Sequence, residues 1–135
     1  MPQSSILIVT NAGRELLSKY MAGIGTFSID WFAIGAGSVG LPPSPAQTTM
    51  DSLMQISGVD LTALTSKTFV TPSIANFQVV IPNLYVSPSP ITELGLWISP
   101  TNAIGIGSVL FAYATFQGIN KESGNDLTFN AKIQA

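Results

Sequence analysis

The stretch from Ile91 to Gln134 constrains the fold more than any other part of the chain. It reads ITELGLWIS, a turn, IGIGSVLFAYATF, a polar loop, then LTFNAKIQ. These are three strand-like runs with almost no charge. In the last, Leu127, Phe129, Ala131 and Ile133 alternate with Thr128, Asn130, Lys132 and Gln134, the period of two of a half-buried strand. The middle run, Ile104 to Phe116, is apolar on both sides: Leu110, Ala112 and Phe116 on one, Val109, Phe111 and Tyr113 on the other. A strand of that kind lies between two layers or faces a partner chain.

The remainder reads as cover for this block. Residues 1–10 read as an extended arm or a short edge strand, SILIVT, apolar at Ile6 and Ile8, and of the two an arm over residues 1–9 that reaches a neighbouring chain is favoured. Thr10 or Asn11 caps a helix to about Ala22, stopped by Gly23 and Gly25, with Ala12, Leu16, Leu17, Tyr20 and Met21 on its apolar side. Phe27 to Gly35 is a strand, and residues 36–49 are a Gly/Pro-rich loop. Thr48 or Thr49 is expected to cap one or two helical turns carrying Met50, Leu53 and Met54. Period-two alternation returns in KTFVT and from Ala75 to Ile81, and Pro82 ends that run. Short strands divided by Pro, Gly and Asn predict a mainly β single domain over residues 1–135, an antiparallel β-sandwich with one N-terminal amphipathic α-helix.

Composition narrows the function. Charged residues are 9% of the chain, against roughly 25% in typical soluble domains. A low-charge surface rich in Ser, Thr, Asn and Gln suits either an oxygen-rich ligand or permanent burial in an assembly, and the assembly reading is favoured. Arg14, Lys19, Lys67, Lys121 and Lys132 are scattered, which argues against nucleic-acid binding. The chain lacks Cys and His, so thiolate chemistry and the commonest general base and metal ligand are missing. The longest apolar run falls short of the roughly 20 residues of a spanning helix, so no membrane insertion is expected. The first residues lack a basic region and do not read as a signal peptide.

Candidate chemistry is sparse. Asp30 and Glu93 each interrupt an apolar strand; each is either a general acid or a carboxylate facing solvent or bonded to backbone donors. Lys121, Glu122, Asn125 and Asp126 make a polar loop without the oxygen spacing of a calcium site, read as a hairpin turn held by Gly124 and Asn125. Gly35, Gly37 and Gly40 follow a strand but lead into prolines, and so read as a turn rather than a phosphate cradle. No catalytic, cofactor or metal site is expected. Trp31, Phe32, Tyr85, Trp97, Phe111 and Tyr113 belong to a core or an interface, or else to a platform for sugar rings.

Four short motifs, at 10–23, 33–37, 91–99 and 121–134, occur in order: TNAGRELLSKYMAG, AIGAG, ITELGLWIS and KESGNDLTFNAKIQ. Together they resemble the N-terminal, baseplate-anchoring domain of the tail-collar fibre proteins of contractile-tailed phages. The resemblance implies a structural virion protein of the tail or baseplate, made in the host cytoplasm. It also implies a homo-oligomer, commonly a trimer, that docks fibre or baseplate proteins. Family fibres continue into a shaft and receptor-binding tip, and this sequence ends at Ala135, so the expectation is an anchor or adaptor. The expected interface residues are Val109, Phe111, Tyr113, Trp97, Ile6 and Ile8. The alternative is a carbohydrate-binding, host-recognition module using Trp31, Tyr85 or Trp97.

Overall fold

A computed structural model describes residues 2–37, 43–71, 74–124 and 126–134. The strands are β1 (Pro2–Val9), β2 (Trp31–Gly35), β3 (Leu53–Met54), β4 (Thr62–Ala63), β5 (Ser66–Thr71), β6 (Ile74–Ile81), β7 (Ile91–Ile98), β8 (Val109–Ile119) and β9 (Leu127–Gln134). β6 forms where the sequence alternates and ends before Pro82, and β8 ends before Asn120. The helix is α1, Asn11–Met21. The protein is mainly β.

The strand order is β3-β2-β7-β8-β1-β9-β6-β5, with β4 also on β2. The sheet is mixed rather than wholly antiparallel, because β1 runs parallel to β9 from Pro2↔Thr128 to Leu7↔Ile133. Past Leu7 the same strand switches neighbours and pairs antiparallel with β8 at Ile8↔Tyr113 and Val9↔Ala112. β1 therefore joins two half-sheets into one curled sheet. This corrects the outward-reaching arm: the apolar segment finds backbone partners on both sides within its own chain. It also corrects the hairpin expected near Gly124, since β1 lies between β8 and β9.

The curl lets both half-sheets share a core. Phe32, Ile34, Leu94, Leu96, Ala112 and Ala114 from one half form a single buried cluster with Phe77, Val79, Ile81, Leu127, Phe129 and Ala131 from the other. Sequential pairs such as Val79↔Phe129 and Ile81↔Leu127 hold the second half in register.

The two-sided middle run has a specific cause. Leu96 pairs with Ala112 but Trp97 pairs with Leu110, so Phe111 is an extra residue in a β-bulge. The bulge turns Leu110 onto the same face as Tyr113, where both pack with Ala33, Met50, Leu61 and Trp97 in a second, smaller core. Phe111 is freed to meet the helix layer, stacking on Phe27 at 5.3 Å between ring centroids.

The α1 helix is seated by its first turn. Thr10 Oγ1 accepts from the Gly13 amide at 3.0 Å and donates to the Leu110 carbonyl at 2.6 Å, so one hydroxyl both caps the helix and ties it to β8. A Cβ at residue 13 would lie 2.5 Å from the Phe111 carbonyl oxygen, so only glycine allows this approach.

The helical turns expected after Thr48 do not form. Residues 43–64 instead wrap the β2 edge with only the short pairings of β3 and β4. Their apolar residues serve two cores: Met50 and Leu61 enter the smaller one, Met54 and Ile56 the larger. A single helical stripe cannot face both. Ser57 and Gly58, at φ 55° and 78°, reverse the chain between Ile56 and Val59.

Candidate functional site

On the face of β2, β7 and β8 that carries the smaller core, Gly35 pairs with Glu93, Ala33 with Gly95, and Gly95 with Tyr113. Glu93 is 0% exposed. Its Oε2 accepts from the Ser52 amide at 2.8 Å and the Gly37 amide at 3.1 Å. Its Oε1 accepts from the Asp51 amide at 3.0 Å and from the Tyr113 hydroxyl in a short hydrogen bond. A buried carboxylate is costly unless donors surround it, and here four do. Glycine makes the room: a Cβ at Gly35 would strike the Glu93 carboxylate and lie 2.6 Å from the Ser52 carbonyl. Thr92 completes the junction by donating to the Gly37 carbonyl at 2.6 Å. The AIGAG and ELGLW motifs are thus two halves of one clasp that anchors residues 51–52.

Lys121 is the opposite case. It is 2% exposed, and its Nζ donates to the carbonyls of Glu122 at 2.6 Å, Tyr85 at 3.0 Å and Asn83 at 3.1 Å. The Gly124 amide donates to the same Asn83 carbonyl. The lysine and glycine of the KESG motif therefore pin the loop after β6.

The pinned loop borders an open concavity of about 660 Å³ lined by Ser57, Pro82, Asn83, Leu84, Tyr85 and Val86. Leu84 is 84% exposed, and Val86 is also exposed. The Tyr85 hydroxyl is buried without a hydrogen-bond partner among the described residues, and burial pushes its pKa up. Ile106, at the tip of the β7–β8 hairpin, is fully exposed, and Ile24 just past α1 is exposed. Met21, the last residue of α1, is exposed too, against its expected place on the buried stripe. Leu84, Val86, Ile24 and Ile106 lie on turns and loops where periodicity gives no signal.

The structure scatters the expected interface residues. Trp97, Phe111 and Tyr113 are buried within the chain. Val109 and Ile8 are half-buried, and the side chain of Ile6 lies outside the described residues, as do Gly40, Pro42 and Asn125. Trp31 is half-buried and its indole donates to the Ser99 carbonyl at 3.0 Å. With Trp97 interior, Trp31, Tyr85 and Trp97 do not make a shared aromatic platform. Asp30 faces solvent, bound by Lys67 at 2.7 Å and by Ser28, and these hydrogen bonds hold its carboxyl below the usual range. Among the described residues no three acidic side chains gather as a metal site.

Compared with known proteins, the chain matches no family model, no curated protein and no solved structure.

Proposed function

We propose that this protein is a structural assembly module, an anchor or adaptor of a contractile phage tail that binds its own copies and a neighbouring fibre or baseplate protein. The observation that carries this reading is the combination of few charges with large apolar side chains held out on anchored loops. Seven acidic and five basic residues serve 135 positions, while Ile24, Leu84, Val86 and Ile106 are exposed. Apolar groups fixed on firm loops, with little charge to desolvate around them, favour permanent association.

The motifs behind the tail-collar resemblance point the same way. Each does backbone work: Thr10 and Gly13 seat the helix, Gly35 and Gly37 with Glu93 make the clasp, and Lys121 with Gly124 pins a loop. Four donors occupy the buried carboxylate, which gives Glu93 a structural use. Such residues keep a scaffold rigid while its surface docks.

Size-exclusion chromatography with light scattering tests the reading. A stable oligomer at low micromolar concentration, weakened by L84S/I106S with the fold retained, is expected. A monomer that also ignores purified baseplate and fibre proteins would overturn it.

A further inference from the structure

We propose that residues 43–52 form a strap that opens as a unit while the sheet stays folded, and that Glu93 is its latch. The strap crosses from the start of α1 to the end of β2. At one end the Asn11 amide donates to the Pro45 carbonyl at 2.7 Å, and at the other the Ala36 amide donates to the Ser52 carbonyl at 2.9 Å. Between these points it bonds within itself, from Gln47 N–H to the Ser44 carbonyl at 3.1 Å and from Gln47 Nε2 to Asp51 Oδ1 at 2.9 Å. It contains no regular secondary structure.

Its attachment is narrow. Met50 is its one buried side chain; Ser44, Pro45, Ala46, Thr48, Thr49, Asp51 and Ser52 are exposed. Two of the four donors on Glu93, the Asp51 and Ser52 amides, belong to the strap. The following segment is held differently, because Met54 and Ile56 are inserted in the larger core. A segment held by one apolar anchor, one carboxylate clasp and a backbone hydrogen bond at each end has the low local stability of a sub-global opening unit.

What lies beneath is unevenly satisfied. Among the described residues the buried Trp97 indole nitrogen finds no hydrogen-bond partner. A Cβ on neighbouring Gly95 would sit 2.9 Å from Met50 Sδ and 3.0 Å from that nitrogen. Closing the strap thus leaves a donor unpaired, a cost that lifting Met50 relieves by admitting water. Opening uncovers Gly95, Trp97, Leu110 and Tyr113. The inference concerns one chain alone and does not rest on the assembly reading.

Residue-resolved amide hydrogen exchange in low urea tests it. In the wild-type protein the Asp51 and Ser52 amides are expected to exchange about 100-fold faster than the slowest β7 and β9 amides, with much weaker urea dependence. Glu93→Gln weakens the two hydrogen bonds that are lost when the strap lifts, and also those to Gly37 and Tyr113 that persist, so it speeds the strap amides about tenfold or more and the core amides by at least that factor. Val79→Ala acts in a core that stays folded when the strap lifts, so it speeds only the core amides. Equal rates and equal urea dependence for strap and core in the wild type would overturn the opening. Unchanged Asp51 and Ser52 exchange in Glu93→Gln would overturn the latch. Should Glu93→Gln fail to fold, Met50→Ala takes its place: strap amides faster by the same factor as the core support the unit, and unchanged strap amides refute it.

Discussion

Glu93 and Lys121 are both buried charges, and neither is neutralised by an ion pair that the structure shows; backbone dipoles do the work. The carboxylate gathers amides from Gly37, Asp51 and Ser52, and the ammonium gathers carbonyls from Asn83, Tyr85 and Glu122. Each ties down irregular backbone that would otherwise need water. They differ in location. Glu93 sits mid-strand against Tyr113 in glycine-lined space, itself fully buried beneath the exposed Asp51 and Ser52. Lys121 sits in a loop, over other loops. A charge inside the sheet is therefore expected to matter more than one at its margin, because carbonyls at the margin recover water when the ammonium is removed.

That contrast sets the order of expected effects. Glu93→Ala leaves three amides without their acceptor and a hole beside Tyr113, and is expected to cost about 3–5 kcal/mol in urea denaturation. Gly35→Ala pushes a methyl into the carboxylate and the Ser52 carbonyl, at about 2–3 kcal/mol. The double variant with Glu93→Ala should cost less than the sum, because part of the clash has gone. Lys121→Met should cost about 1–2 kcal/mol, with the loss of order confined to the loops around residues 82–87 and 120–124. A Lys121→Met cost equal to that of Glu93→Ala would break the contrast.

The half-exposed Asp30–Lys67 pair is the smallest case, at 50% and 44% side-chain exposure. Asp30→Asn should cost less than about 1 kcal/mol and fade with salt. Lys67 holds the Asp30 carboxyl below its ordinary value of 3.8. The pair therefore contributes fully above pH 3.8, and its contribution is lost as pH falls through the lower, folded-state value. Salt titration of the melting temperature at pH 7 and pH 3 measures both effects.

Alternation made β5, β6 and β9 legible in the sequence, a nearly uncharged run made β7 legible, and the Thr10 cap with Gly23 made α1 legible. The Phe111 bulge was not, since a period-two reading cannot register one extra residue; it appears only as a strand apolar on both sides. Nor was β1, because SILIVT reads equally as a free arm and as a strand that changes neighbours at Leu7. The turns expected near Met50 failed because Met50 and Met54 serve different cores. Of the clasp, Glu93 and the glycines at 35 and 37 stood out as separate oddities. Their joining depends on the β2–β7 register, which pairs Gly35 with Glu93 across some sixty residues of chain. The exposed Leu84 and Ile106 gave no sign, because isolated apolar residues in turns look like any others.

The amide spectrum of Glu93→Gln beside the wild type tests the clasp most directly. A carboxylate that accepts from backbone amides shifts their protons downfield, so the Gly37, Asp51 and Ser52 amides should move upfield together while the β6–β9 amides stay in place. If those three amides keep their positions while the protein remains folded, Glu93 does not hold the two motifs together.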